Sequence, residues 1–356
     1  LLFLFYEFFG VVTNLGGGWI AARYGLALTL LGGLALQIVA LGMLTVDATV
    51  LSVAYVMAAQ ALSGIAKDLN KMSAKSSVKA IAEGEGKLYR LVSVLTGSKN
   101  ALKGVGFFLG GALLQTLGFQ NAMWAMMAVL LLVGLVALFG LNFATGKTSF
   151  KPKFADLLSK SQAVNQLSGA RFFLFGARDV WFVVALPVYL QTQLDWSSVQ
   201  VGTFLAVWIM GYGAVQASSP HLTRGGAQAG RKTMLWGLML LPVPALIAIS
   251  LAWFNINPSF SLVAGLLIFG ALFAINSALH SYLIVSYADA DGVSLDVGFY
   301  YMSNAAGRLV GTVLSGLIFQ FYGLIACLLA ASLMLVCTTL LAARLPDPQA
   351  GHGQPL

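Results

Sequence analysis

The chain is built from one run of apolar residues after another, each near the length of about 20 residues that crosses the hydrocarbon core of a bilayer. The runs fall at roughly 1–21, 26–46, 50–67, 90–117, 121–143, 166–192, 197–218, 233–254, 259–283, 298–321 and 323–343, eleven in all. Such a sequence has little choice of fold. In lipid every backbone N–H and C=O must be paired within the protein, which leaves only helices or a closed barrel. These runs are too long for barrel strands and lack their alternation, so an all-α membrane protein is expected. Only 9% of the 356 residues are charged, against about a quarter in soluble domains. The 39 glycines suit helices that pack through small residues.

A net charge of +8 does not point to nucleic acid, because no basic stripe with interleaved aromatics is present and the charges sit between apolar runs. If successive runs alternate direction, one set of connections holds Arg23, Lys67, Lys71, Lys75, Lys79, Lys87 and Arg90. It continues with Lys147, Lys151, Lys153, Lys160, Arg224, Arg231, Lys232 and Arg344. The opposite set, near Asp47, Gly118, Asp195, Asn255 and Tyr322, holds no Lys or Arg. The first set is therefore expected in the cytoplasm. The polar stretch 144–165 divides five runs from six. This predicts an N-terminal helical bundle over 1–143, a cytoplasmic linker over 144–165, a C-terminal six-helix bundle over 166–345 and a polar cytoplasmic tail over 346–356. Two six-helix bundles with the first helix missing from the sequence would explain the odd count and place both true termini in the cytoplasm. The first run lacks the basic flank of a secretory signal and is expected to be a span.

Internal repetition supports two related halves. An offset of 205 residues places Ser98 on Ser303, Ala101 on Ala306, Val105 on Val310, Gly106 on Gly311 and Leu109 on Leu314. It also places Gly111 on Gly316, Gln115 on Gln320, Gly118 on Gly323 and Lys103 on Arg308.

Five of the 20 Lys and Arg residues stay inside apolar runs: Lys99, Lys103, Arg171, Arg178 and Arg308. A cation at mid-span costs roughly 2.5–3.5 kcal/mol to insert and usually faces a cavity or a partner. Glu7 and Asp179 are the acids available to them, so the balance favours an anionic ligand. Lys99, Lys103, Gly106 and Gly110 share one helical face, and Asn304, Arg308, Gly311 and Ser315 share another. Two symmetry-related walls would then each present a cation to one pocket, with Arg171 and Arg178 on a third helix. Guanidinium forks suit phosphate-like oxyanions. The plainer alternative is that Lys99 and Arg171 snorkel to the interface and that Lys103, Arg178 or Arg308 forms a structural ion pair, with Asp179 as the partner. Glu7 and Asp179 are also candidates to carry protons in coupling to a proton gradient.

Other residues point to packing. Cys327 and Cys337 share one apolar run and offer neither a CxxC pair nor a zinc site. Pro187, Pro242 and Pro244 are expected to bend their helices, and His280 reads as an interfacial residue. Asp289, Asp291 and Asp296 form an acidic connection suited to a basic gate partner. No HExxH, GxSxG, paired catalytic carboxylates or metal cluster lies in the spans, so enzyme chemistry is a remote alternative.

The arrangement resembles the major facilitator superfamily, whose signature Gly-x-x-x-Asp-Arg-x-Gly is matched by Gly18, Arg23 and Gly25, with Ala22 in place of the acid. The resemblance implies a major facilitator fold of two pseudo-symmetric bundles and a gating role for that motif. Longer stretches resemble one branch, the ArsJ-type organoarsenical efflux permeases: LFLFYEFFGVVTNLGGGWIAARYGL, MAAQALSGIAKDLNKMSAKSS, LTGSKNALKGVGFFLGGALL and FGARDVWFVVALPVYL. This second resemblance implies export of 1-arseno-3-phosphoglycerate across a bacterial inner membrane, and with it arsenate resistance. It also implies a functional link to glyceraldehyde-3-phosphate dehydrogenase, which makes that ester. A substrate with a phosphate at one end and an arsenate at the other suits cations on both halves. Pentavalent oxyanions need none of the thiolates that trivalent arsenic prefers. A related exporter of another organic anion or a drug is the alternative.

Overall fold

The computed structural model describes residues 2–47, 49–82, 84–140, 161–253, 257–289 and 292–348, without the side chains of residues 2–7, 80, 85 and 107. Its helices are α1 (Leu2–Tyr24), α2 (Leu26–Met43), α3 (Val53–Ile81), α4 (Glu85–Gly140), α5 (Gln162–Phe182) and α6 (Ala185–Thr192). There follow α7 (Ser198–Leu222), α8 (Ala229–Leu240), α9 (Pro242–Trp253), α10 (Pro258–Tyr287) and α11 (Val293–Ala342). Among the described residues seven helical stretches are long and apolar enough to cross a membrane. Val129, Leu132, Val136 and Phe139 on α4 turn large apolar side chains outward, a surface that lipid solvates and water does not.

Two breaks explain why two pairs of expected runs appear as single long helices, α4 and α11. Within α4, Gly118 has φ 73° and ψ 172°, and within α11, Gly323 has φ 73° and ψ −173°. The two glycines are the pair that the 205-residue offset superimposes, so the sequence repeat is also a repeat of backbone conformation. Only glycine adopts that combination without strain. Prolines act in the opposite sense and divide one expected run into two helices. Pro187 has no N–H to offer Val183, and α5 gives way to α6 at Val183 and Val184. The amide of Ala185 instead donates to the Ser315 hydroxyl at 3.1 Å. Pro242 separates α8 from α9 in the same manner.

The chain forms two compact units. One comprises α1, α2 and α3, the part of α4 from Gly106 onward and the start of α11 as far as Met302. The other comprises α4 as far as Val105, α5 to α10 and α11 from Ser303. In the first unit Gly18 packs so closely that an added Cβ would lie 2.6 Å from the Ser294 carbonyl and 3.2 Å from Gly298 Cα. Gly25 has φ 95° at the turn into α2, and exposed Arg23 stacks on Trp19 and Tyr24, 5.1 and 5.9 Å from the ring centroids. Ala22, where the signature has an acid, is buried against Leu295. In the second unit the core is aromatic: Trp181 meets Phe269 and Trp208 edge-on, and the Trp208 indole donates to the Leu266 carbonyl at 2.8 Å.

One expectation is corrected here. Lys67, Lys71, Lys75 and Lys79, assigned to a connection, lie on α3, which runs well past its apolar stretch. Their four-residue spacing sets them along one side of the helix, and they find partners there. Lys71 pairs with Asp68 at 2.7 Å and lies 4.1 Å from the Tyr301 ring centroid. Lys75, 2% exposed, donates to the Tyr301 hydroxyl at 3.1 Å. Lys79 donates to the Ala288 carbonyl; burial lowers its pKa while Asp289 and Asp296 draw it back up. The acidic connection thus does face a basic helix, with Asp291 outside the described residues. The 141–160 part of the expected linker and the 349–356 part of the expected tail also lie outside them.

The paired glycine breaks yield a stability prediction. Gly118→Ala and Gly323→Ala should each destabilise the protein by about 1–3 kcal/mol, read as a lower melting temperature in detergent. Nothing lies within 4 Å of either added methyl, and Gly106→Ala, equally open but helical, should not lower the melting temperature.

Candidate functional site

The α5 helix carries Arg171, Phe175 and Arg178 at i, i+4 and i+7, which places all three on one face. The Arg171 guanidinium lies 3.9 Å from the Phe175 ring centroid and that of Arg178 lies 4.8 Å from the same centroid. Asp179, the next residue, is wholly buried. Its Oδ1 accepts from Arg178 Nε at 2.6 Å and its Oδ2 accepts from Arg308 Nε at 3.0 Å. One carboxylate therefore holds two guanidiniums, whose side chains keep 16% and 28% of their exposure.

Glycines make this bridge possible. A Cβ at Gly307 would run into the Phe172 carbonyl, and one at Gly311 would lie 2.7 Å from the Gly176 carbonyl and 3.1 Å from Asp179 Cβ. With those positions bare, α11 approaches α5 closely enough for Arg308 to reach across. The face formed by Asn304, Arg308, Gly311 and Ser315 turns toward α5 along its length. Asn304 accepts from Arg171 Nε at 2.9 Å, and Ser315 accepts the amide freed at the Pro187 break. Of the four, Arg308 keeps exposure while Asn304, at 8%, and Ser315, at 0%, are buried. The structural pairing of Arg178 and Arg308 with Asp179, weighed above as the plainer alternative, is present, and it binds both arginines to a single acid.

Arg171 is buried at 3% exposure rather than reaching an interface. Its Nη1 donates to the Ser277 hydroxyl at 2.9 Å and to the Ser277 carbonyl at 3.3 Å. The same hydroxyl accepts from Gln216 Nε2 at 3.2 Å, and Gln216 Oε1 accepts from Asn100 Nδ2 at 2.6 Å. Asn100 sits on α4 beside Lys99, which is half-buried, and one turn from Lys103, which is exposed. Beyond them nothing lies within 4 Å of a Cβ added at Gly106 or Gly110.

Sequence reasoning passed over Gln216, Ser277 and Phe175. It followed charge, and these are neutral; the Arg-x-x-x-Phe-x-x-Arg spacing of α5 was the available signal. It also missed Asp68, which is buried in α3 and accepts from Asn14 at 3.1 Å as well as from Lys71. Glu7 lies on α1, its side chain outside the described residues. His280 is not interfacial: it is fully buried, and neither ring nitrogen has a hydrogen-bond partner among the described residues. It lies inside the helix packing, where α10 is buried continuously from Phe273 to Val285.

The model of the Major Facilitator Superfamily matches residues 1–293. The chain belongs to the Major Facilitator Superfamily. Solved facilitators share its fold over nearly its whole length. The human organic anion transporter MFSD10 (TETRAN) is 18% identical, with 95% of this chain and 83% of that one covered at a TM-score of 0.76. A bacterial homologue of the iron transporter ferroportin is 14% identical, covered at 97% and 89%, with a TM-score of 0.75. The proton:xylose symporter XylE is 11% identical, covered at 96% and 85%, with a TM-score of 0.76. No curated protein matches the chain significantly by sequence. The superfamily marks this facilitator as a transporter spanning the membrane many times, with an all-helical fold.

Removing the acid at the centre of the cluster should be costly. Asp179→Asn should destabilise the protein by about 2–4 kcal/mol, at or below the cost of breaking a buried pair because both arginines keep some exposure. Thermal unfolding in detergent checks this, and Asp47→Asn, on an exposed turn, serves as the control without effect.

Proposed function

We propose that the protein is a secondary active exporter of an organic oxyanion, and that its cargo is 1-arseno-3-phosphoglycerate. The observation that carries this reading is the shared acid: Asp179 holds Arg178 and Arg308 together, each side chain keeping part of its exposure. Two forks held side by side by one carboxylate suit the several oxygens of a phosphate or arsenate group. Lys99 and Lys103 on α4 supply further point charges, and Arg171, set by Asn304, completes the set. The ArsJ-type resemblance supplies the identity of the cargo, with glyceraldehyde-3-phosphate dehydrogenase as the upstream source and arsenate resistance as the outcome. A facilitator with this fold is an organic anion transporter, which also supports the broader alternative, export of a different organic anion.

Transport proceeds by alternating access, the two halves exposing the site to each side of a bacterial inner membrane in turn. In this reading the lysine-rich ends of the helices face the cytoplasm, and Gly18, Arg23 and Gly25 belong to the gate on that side. Export is driven by proton exchange, with Glu7 and Asp179 as the candidate carriers.

Cells producing this protein together with glyceraldehyde-3-phosphate dehydrogenase should survive arsenate, and Lys103→Ala and Arg308→Ala should each abolish that survival at unchanged membrane levels. Normal resistance in the double variant would sink the assignment. In inverted vesicles, collapsing the proton gradient should stop export; transport that continues unchanged removes the proton from the scheme.

A further inference from the structure

Hydrogen bonds run without interruption from Asn100 through Gln216, Ser277 and Arg171 to Asn304, crossing α4, α7, α10, α5 and α11 in turn. Gln216 and Ser277 are fully buried, and Arg171 and Asn304 are 3% and 8% exposed. Both ends of the Gln216 amide are used. We propose that Gln216 is a positioning residue for the anion site, holding Ser277 so that Ser277 sets the Arg171 guanidinium, and tying that setting to the contact between α4 and α7. This rests on the anion-transport reading above.

Three residues fix the plane of Arg171. Asn304 takes Nε, Ser277 takes Nη1 through both its hydroxyl and its carbonyl, and Phe175 covers the face. The Ser277 hydroxyl receives two donors, from Arg171 and from Gln216, so its oxygen stays aimed between them. Gln216 in turn stands one turn along α7 from Gly213, where the two helices touch backbone to backbone. A Cβ at Gly97 would lie 2.5 Å from the Gly213 carbonyl, and one at Gly104 would lie 2.8 Å from the Ala206 carbonyl. Asn100 is one turn from Gly97 on α4. A hydrogen bond of 2.6 Å does not survive a separation of much more than about 1 Å. Any movement of α4 away from α7 therefore releases Gln216 first and loosens Ser277 and Arg171 behind it. An anion that prefers the ordered arginine then binds the two arrangements with different affinity, which is the condition for a ligand to bias a conformational equilibrium.

The test measures binding of 3-phosphoglycerate, a stable organic phosphate, to the purified full chain by calorimetry, beside its melting temperature. Gln216→Leu and Ser277→Ala should each weaken binding about tenfold, the order that one hydrogen bond to a charged group is worth. Ser277→Thr, which keeps the hydroxyl, should restore it. Asn100→Leu combined with Gln216→Leu should weaken binding no more than either alone, because both break the same link. Ser277→Ala removes a single oxygen and keeps the test alive should Gln216→Leu fail to fold. Unchanged affinity in Gln216→Leu and Ser277→Ala, with normal binding by the wild type, overturns the positioning role and leaves the anion reading standing. Equal weakening in Ser277→Thr, or additive losses in the double variant, overturns it too. Absence of binding by the wild type overturns both.

Discussion

A carboxyl group removed from water must find hydrogen-bond donors that stand in for the lost solvent. Asp179 meets that condition with two arginines, one its chain neighbour and one from α11, and much of the second unit is arranged around the need. Gly176, Gly307 and Gly311 are bare because the backbones of α5 and α11 must close to the reach of an arginine. The break at Pro187 falls one helical turn beyond, where Ser315 on α11 is already close enough to satisfy the freed amide. Small residues, a proline break and an ion bridge are thus parts of one packing solution. In lipid no water is at hand to repair any piece of it.

The fold was legible because the bilayer enforces it. Runs near 20 residues, a charge asymmetry between alternate connections and an offset that laid Gly118 on Gly323 led to an all-helical, internally repeated chain. Even the two backbone breaks could be located from that offset, since both glycines occupy a conformation other residues avoid. The extent of α3 was not legible. Hydropathy ends a helix where apolar residues end, whereas Lys67, Lys71, Lys75 and Lys79 prolong this one by meeting Asp68, Tyr301 and the Ala288 carbonyl. Of those partners Tyr301 and Ala288 lie far away in the chain.

The polar residues that cluster on α5 and α11 could be picked out of the sequence, but their wiring could not. Arg171, Arg178, Arg308, Asp179 and Asn304 could be named because charge and amide are conspicuous within apolar runs. Whether they faced a cavity or one another depended on the crossing of α5 and α11, which no helical wheel contains. Gln216 and Ser277 were invisible for a related reason. Neutral polar residues insert at modest cost, so nothing in a single sequence separates one that joins five helices from one that merely bonds its own turn, as Ser77 bonds the Ser73 carbonyl.

Phe175 adds a consequence of its own. Its ring takes a guanidinium from Arg171 and another from Arg178, and the attraction comes from the electron-rich face of the aromatic system. A benzene ring has no proton to gain. Acidification can silence a carboxylate, but it leaves this attraction untouched, so two of the cations retain a mooring that does not itself titrate.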